Sequence, residues 1–168
     1  MKTAKQYSTY MTLGHWYSFN TKIIGESIVV GAIVGFVIVI FRYLLEKASE
    51  LSTAIYATVR ENMNLLPFMI IGLVIVGVII GLILRFEPLS SGSGIPQIEG
   101  QLARKIEVSW WRVLLAKFTG GLLAIGSGLS LGREGPSVQI GAAIGQGFGK
   151  VFKRTKIEEK FLITCGAS

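Results

Sequence analysis

Long apolar stretches alternate with short charged segments along this chain. Residues 62–84 form an uncharged run of 23 residues, and residues 23–41 form a run of 19 residues whose only charge is Glu26. A helix rises 1.5 Å per residue, so either run is long enough to cross the roughly 30 Å hydrocarbon core of a bilayer. The pattern therefore predicts two membrane-spanning helices in the first half of the chain.

Two further apolar runs differ from the first two in length. Residues 118–132 and 135–149 are 15 residues each, and only Arg133 and Glu134 separate them. Runs of this length are typical of re-entrant or buried helices, and together these two look like one span that an ion pair interrupts. Irregular backbone at membrane depth is tolerated only where protein buries it or where it lines a wet cavity. We therefore predict an all-α membrane protein, a multi-pass helical bundle with broken or re-entrant helices that border a transport pathway.

Glycine spacing favours close helix packing within this bundle. Small residues four positions apart let helix backbones approach one another in lipid. Five glycine pairs have this spacing: Gly31 and Gly35, Gly77 and Gly81, Gly128 and Gly132, Gly141 and Gly145, and Gly145 and Gly149. Glycine is also simply common in membrane helices, which is the alternative explanation for any one pair.

Composition supports the membrane assignment and excludes several other classes. Of the 168 residues, 51% are apolar and only 16% are charged, which is too apolar for a disordered chain and poor in charge for a soluble domain. The chain has one His, one Cys and no Asp, so it cannot build a His and Cys zinc cluster, a disulfide framework or a Ser-His-Asp triad. We predict that the protein is not an enzyme and needs no cofactor, with neither a metal site nor a catalytic residue.

The distribution of Lys and Arg predicts the orientation in the membrane. Two crossings place the first 22 residues and the segment after the second span on the same side, with eight positive charges against three in the loop 42–61. The positive-inside rule then makes the N-terminus, residues 1–22, cytoplasmic. The net charge of +7 is explained by this orientation, and no nucleic-acid partner is expected. The side of the basic cluster between Lys150 and Lys160 stays open, because a cytoplasmic position requires the broken span to double back.

Two short strings carry the candidate chemistry, GSGIP at 92–96 and GREGP at 132–136. In each, Gly precedes a Pro that suits a helix start, and the unpaired N–H groups of a helix start attract anions. Two such starts inside a bundle predict one shared anion site, as in the broken helices of many transporters. The candidate site residues are Gly92, Ser93, Gly94, Ile95, Pro96, Gly132, Arg133, Glu134, Gly135 and Pro136.

Two of these residues, Glu134 and Ser93, each have a functional and a structural interpretation. An ionised Glu134 would compete with a permeating anion for the same N–H groups, and protonation would release it, which makes this residue a candidate gate. The alternative is a structural cap paired with Arg133. Ser93 offers a hydroxyl donor to an anion, or it is only an N-cap serine.

These two strings closely resemble the first two parts of the selectivity filter of the CLC family of chloride channels and proton-coupled chloride antiporters. Similar stretches include Ile98-Glu99-Gly100, Trp110-Trp111-Arg112, Lys117-Phe118 and Val138-Gln139-Ile140-Gly141, and the resemblance covers about residues 20–168. It implies that Ser93 contacts the central chloride, that Glu134 is the gating glutamate on the outer side, and that the full-length protein is a homodimer with one pore per subunit. Family members that favour nitrate tend to have Pro at the position of Ser93, so the serine indicates chloride.

The resemblance also sets the expected domain organisation. Residues 23–168 are expected to form the first part of an inverted-repeat transport domain in the cell membrane, with the third filter segment and the dimer-interface helices missing after Ser168. The expected ligands are chloride and protons, with membrane lipid around the helices. The sequence does not distinguish a channel from an antiporter. Two alternatives are a non-transporting or regulatory membrane fragment and a proton or cation pathway through Glu26, Glu99 and Glu134.

Overall fold

The computed structural model describes residues 22–168, together with the bounds of the helix that contains the residues before them. No strand occurs in this part of the chain. The helices are α1 (Lys2–Glu61), α2 (Leu66–Phe86), α3 (Ile95–Leu102), α4 (Trp110–Gly126), α5 (Glu134–Val151) and α6 (Lys156–Ala167), with 3₁₀ turns at Met63–Leu65 and Pro88–Ser90. The predicted cytoplasmic segment 1–22 lies outside the described residues except for Lys22.

The first two apolar runs lie on helices that are long and apolar enough to cross a membrane. These are Lys22–Glu61 in α1 and Met63–Phe86, which consists of the 3₁₀ turn and α2. No residue of α2 is buried by the rest of the chain, and its exposed side chains include Phe68, Ile70 and Leu82. A helix that is apolar on all sides and unburied is suited to a lipid environment.

The predicted loop between the two spans is wrong, because α1 continues through residues 42–61. This segment has no Gly or Pro to stop a helix, and Lys47 Nζ donates to Glu50 Oε2 at 2.8 Å one turn away. The chain leaves the helix only at Asn62, and α2 then begins at Leu66 with Pro67 as its second residue. The 40 residues from Lys22 to Glu61 therefore extend about 60 Å as one helix.

The prediction of a single broken span over 118–149 is also wrong, because α4 and α5 form an antiparallel pair. Trp110 at the start of α4 packs on Gly147 near the end of α5, while Gly121 faces Pro136 near the start of α5. Residues 127–133 connect the helices, and Gly128 adopts a φ of +93° against the ring of Tyr56. The chain therefore doubles back within this segment.

Glycine spacing predicts helix packing correctly for two of the five pairs. Gly141, Gly145 and Gly149 of α5 face Gly166, Leu162 and Glu159 of α6, and a Cβ on Gly145 would lie 2.8 Å from the Leu162 carbonyl carbon. Around Gly31, Gly35, Gly77 and Gly81, no other described residue comes within 4 Å of the position of a Cβ. Gly128 and Gly132 lie outside the helices.

An ion pair ties the start of the described part of α1 to the connection between α5 and α6. Arg154 Nη2 lies 2.5 Å from Glu26 Oε1, and both side chains are largely buried. The Lys150–Lys160 cluster therefore lies at the same level as the beginning of the first apolar run. A small hydrophobic core packs helices α1, α4 and α5 together. Its buried residues are Phe41, Leu45, Ile125 and Ile140.

Candidate functional site

The first string forms a tight turn between α2 and α3. Gly92 and Gly94 have φ values of +69° and +85°, which glycine adopts at no steric cost. Gly94 is the N-cap of α3, so Ile95 and Pro96 occupy the first two helical positions. The string thus ends in a helix start whose first N–H groups have no partner within the helix, as the sequence predicts.

Four consecutive carbonyl oxygens, those of residues 89–92 at the beginning of this turn and just before it, accept hydrogen bonds from side chains. The bonds are Gln139 Nε2 to Leu89 O (2.8 Å), Lys117 Nζ to Ser90 O (2.9 Å), Gln97 Nε2 to Ser91 O (3.1 Å) and Lys117 Nζ to Gly92 O (2.5 Å). Because a free carbonyl oxygen would repel an anion, donors on these oxygens leave the turn better suited to hold one.

Lys117 supplies two of these bonds from inside the bundle. It lies in the first half of α4 and is 5% exposed. Lys117 is one of the eight positive charges that predict the orientation in the membrane, but its ammonium group lies against the turn and not in a loop. The missed signal is its place as the single charge between Arg112 and Arg133.

The second string provides the start of α5, which packs directly against the turn. Glu134 is the first residue of α5, so Pro136 is the third helical residue and the helix begins earlier than expected. A Cβ on Gly135 would lie 2.8 Å from Ser93 O and 2.9 Å from Ser93 Cα. One turn further along α5, Gln139 packs on Gly94 just as closely. The two strings, 40 residues apart in sequence, therefore meet at Ser93 and Gly135.

Glu134 and Arg133 are not an ion pair in the described structure. Among residues 22–168 the ion pairs are Lys47 with Glu50 and Arg154 with Glu26. Arg133 is the N-cap of α5 without a side-chain capping bond, and its carbonyl accepts from the Ser137 hydroxyl at 2.9 Å. The pairing with Arg133 on which the structural-cap alternative depends is therefore absent from residues 22–168.

Most of the site residues are exposed. Glu134 is exposed next to the contact between Gly135 and Ser93, and Ser93 is exposed as well, whereas Gly94 is buried beneath them. The other exposed members are Gly92, Ile95, Pro96, Gly132 and Arg133. The two strings meet where Gly135 contacts Ser93, and the Ser93 hydroxyl and the Glu134 carboxylate are exposed next to this contact.

Comparison with known proteins shows that this chain is similar to chloride channels and chloride transporters. The model of the family described as voltage gated chloride channel matches residues 72–168, more than half of the chain. The H(+)/Cl(-) exchange transporter ClcA of Vibrio campbellii is 41% identical over 129 residues, which cover 74% of this chain and 27% of that protein. ClcA of Vibrio cholerae serotype O1 is 49% identical over 89 residues, which cover 52% of this chain and 19% of that protein.

A solved structure shows the same arrangement of helices. The crystal structure of a slow cyanobacterial Cl⁻/H⁺ antiporter matches with a TM-score of 0.76 at 37% identity, covering 84% of this chain and 34% of that chain. The present chain thus spans about a quarter of the length of the first curated relative.

Proposed function

This chain belongs to the voltage gated chloride channel family, and we propose that it supplies the first half of a chloride site in a membrane transporter. The observation that carries this proposal is the contact of Gly135 with the backbone of Ser93, which brings the starts of α3 and α5 together. Each helix start has partly positive N–H groups, so one anion at their meeting point is attracted by both helix dipoles.

Each part of the site has a proposed role. Backbone N–H groups at the starts of α3 and α5 and the Ser93 hydroxyl bind chloride, with no cofactor. Lys117 adds a buried positive charge behind the turn. Glu134, at the first position of α5, carries a carboxylate that competes with chloride when ionised and leaves the site when protonated. The relatives named above are exchangers of protons and chloride, so a cation pathway and a non-transporting fragment are not favoured.

The proposed orientation has a cytoplasmic N-terminus and several crossings of the cell membrane. The ion pair between Glu26 and Arg154 supports a common side for the N-terminal residues and the Lys150–Lys160 cluster, which adds positive charge to the proposed cytoplasmic face. A Lys153→Cys variant in a Cys165→Ser background should be labelled by a membrane-impermeant maleimide only after the cells are opened. Labelling of intact cells would contradict this orientation.

The function is tested in liposomes that contain the full-length protein, which we propose to be a homodimer. Wild-type protein should move chloride with accompanying protons, and Glu134→Gln should lose the pH dependence or the proton coupling. Glu61→Gln, at the exposed end of α1, is the matched control and should behave as wild type. Proton-coupled chloride flux that is unchanged by Glu134→Gln would contradict the gating role.

A further inference from the structure

Four glutamine side chains line a small, partly open cavity between α3, α4 and α5. Gln97 and Gln101 come from α3, and Gln139 and Gln146 come from α5. The cavity measures about 10 Å³, and its apolar wall includes Val113. The cavity is next to the turn that leads into α3, since Gln139, one of its lining residues, also packs on Gly94.

Hydrogen bonds fix the orientation of three of the four amides. The Nε2 atoms of Gln97, Gln139 and Gln146 donate to Ser91 O, Leu89 O and Val108 O at 3.1, 2.8 and 3.1 Å. A carbonyl oxygen only accepts, so the nitrogen of each amide must face it, and the Oε1 atom must point elsewhere.

One polar atom of each glutamine remains without a protein partner. Within residues 22–168, the Oε1 atoms of Gln97, Gln139 and Gln146 and the Nε2 atom of Gln101 are buried and unpaired. Gln139 and Gln146 are only 3% and 4% exposed. Buried polar atoms without a hydrogen bond are costly, so four of them around one cavity indicate a bound partner.

The cavity's size and chemistry identify that partner. Three acceptors and one donor do not suit an anion such as chloride, which needs donors. A water molecule donates twice and accepts, and a volume of roughly 10–15 Å³ is what one water requires. We propose that a single water molecule binds here, donates to Gln139 Oε1 and Gln146 Oε1, and accepts from Gln101 Nε2.

This water site links α3 to α5 next to the point where the two helix starts meet. It holds Gln139, whose other amide atom is bonded to Leu89 O in the turn. The cavity and its amides define this water site whether or not the nearby helix starts bind chloride.

The effect of Gln101→Met on thermal unfolding of the full-length protein tests the proposal. Methionine has nearly the same shape and lacks the amide, so with water bound the variant loses a hydrogen bond and the Tm falls by roughly 2 °C or more. Without water, the same change removes an unpaired buried donor, and the Tm rises or stays unchanged, which would overturn the proposal. Ala103→Met, at an exposed position two residues away, controls for the new methionine and should leave the Tm unchanged.

A density map of the full-length wild-type protein gives a second test that needs no variant. At a resolution that shows other buried waters, the proposal predicts a peak about 2.7–3.2 Å from both Gln139 Oε1 and Gln146 Oε1. An empty cavity in such a map would overturn it.

Discussion

Gly135, the second residue of α5, lies directly against the backbone of Ser93, so that even a methyl group on Gly135 would come within 2.8 Å of the Ser93 carbonyl oxygen. This contact sets the distance between the starts of α3 and α5. The position is helical, so glycine is needed here for close approach and not for an unusual φ.

Gly135→Ala should therefore separate the two helix starts and weaken chloride binding. An added Cβ must push against backbone, which cannot rotate away as a side chain could. We expect roughly a tenfold loss of chloride affinity in calorimetry on the full-length protein, equivalent to about 1.4 kcal/mol. Gly77→Ala in α2 is the control, because no described residue lies near its Cβ position, and it should keep wild-type affinity. Equal affinities for both variants and wild type would show that the contact does not shape the site.

Ser93→Pro should shift anion preference from chloride towards nitrate. The substitution removes a hydroxyl and a backbone N–H from the exposed face of the site, both of which suit a compact anion. The ratio of nitrate to chloride flux in liposomes measures this change. Ser91→Ala removes a hydroxyl two residues earlier and should leave the ratio as in wild type, whereas an unaltered ratio in Ser93→Pro would argue against direct contact.

Lys117→Met should destabilise the turn before α3 and weaken the binding of the anion. The change leaves Ser90 O and Gly92 O without their donor and removes a buried charge. We expect the free energy of unfolding to fall by about 1–3 kcal/mol, together with weaker chloride binding. Lys105→Met, at an exposed position, should change neither property. Wild-type stability in Lys117→Met would show that other groups fix the turn.

Sequence reasoning succeeds where local chemistry decides the outcome. The apolar runs predict α2 and the apolar part of α1, and the glycines and prolines of the two strings predict helix starts at Gly94 and close to Gly135. It fails where distant partners decide. Gly141 and Gly77 share the same spacing to a second glycine, yet only Gly141 faces another helix in the described structure.

The antiparallel pairing of α4 and α5 also depends on contacts between residues that are distant in sequence. Two apolar runs separated by two charges fit either an interrupted span or a pair of antiparallel helices. The choice depends on contacts such as Trp110 with Gly147, which the sequence pattern does not encode. The sequence pattern also does not predict the contacts of Lys117, because its partners are backbone carbonyls 25 and 27 residues away.

The capping box at the start of α6 should make the free energy of unfolding depend on pH. Glu158 accepts hydrogen bonds from the Thr155 backbone N–H and, secondly, from the Thr155 hydroxyl, and these bonds lower the pKa of the Glu158 carboxyl. Since the folded state holds the ionised form, the stabilisation is present above the unfolded pKa of about 4.3 and is lost as pH falls through the lower folded pKa.

Glu158→Gln should therefore be less stable than wild type at pH 7, by about 1 kcal/mol, and the difference should shrink below about pH 4. Thermal unfolding of the full-length protein across this pH range measures the effect. Glu107→Gln, at an exposed position outside the helices, controls for the loss of one carboxylate. A stability difference that stays constant with pH would mean that the Glu158 charge does not contribute.

The position of a bound halide shows whether the starts of α3 and α5 form an anion site. Crystals of the full-length protein grown in bromide allow the anion to be found by anomalous scattering. We predict a bromide peak beside the Ser93 hydroxyl and the first N–H groups of α3 and α5, and a weaker peak at this position in Gly135→Ala. Bromide bound elsewhere in the protein, with none where Ser93 meets Gly135, would show that the two helix starts do not form the anion site.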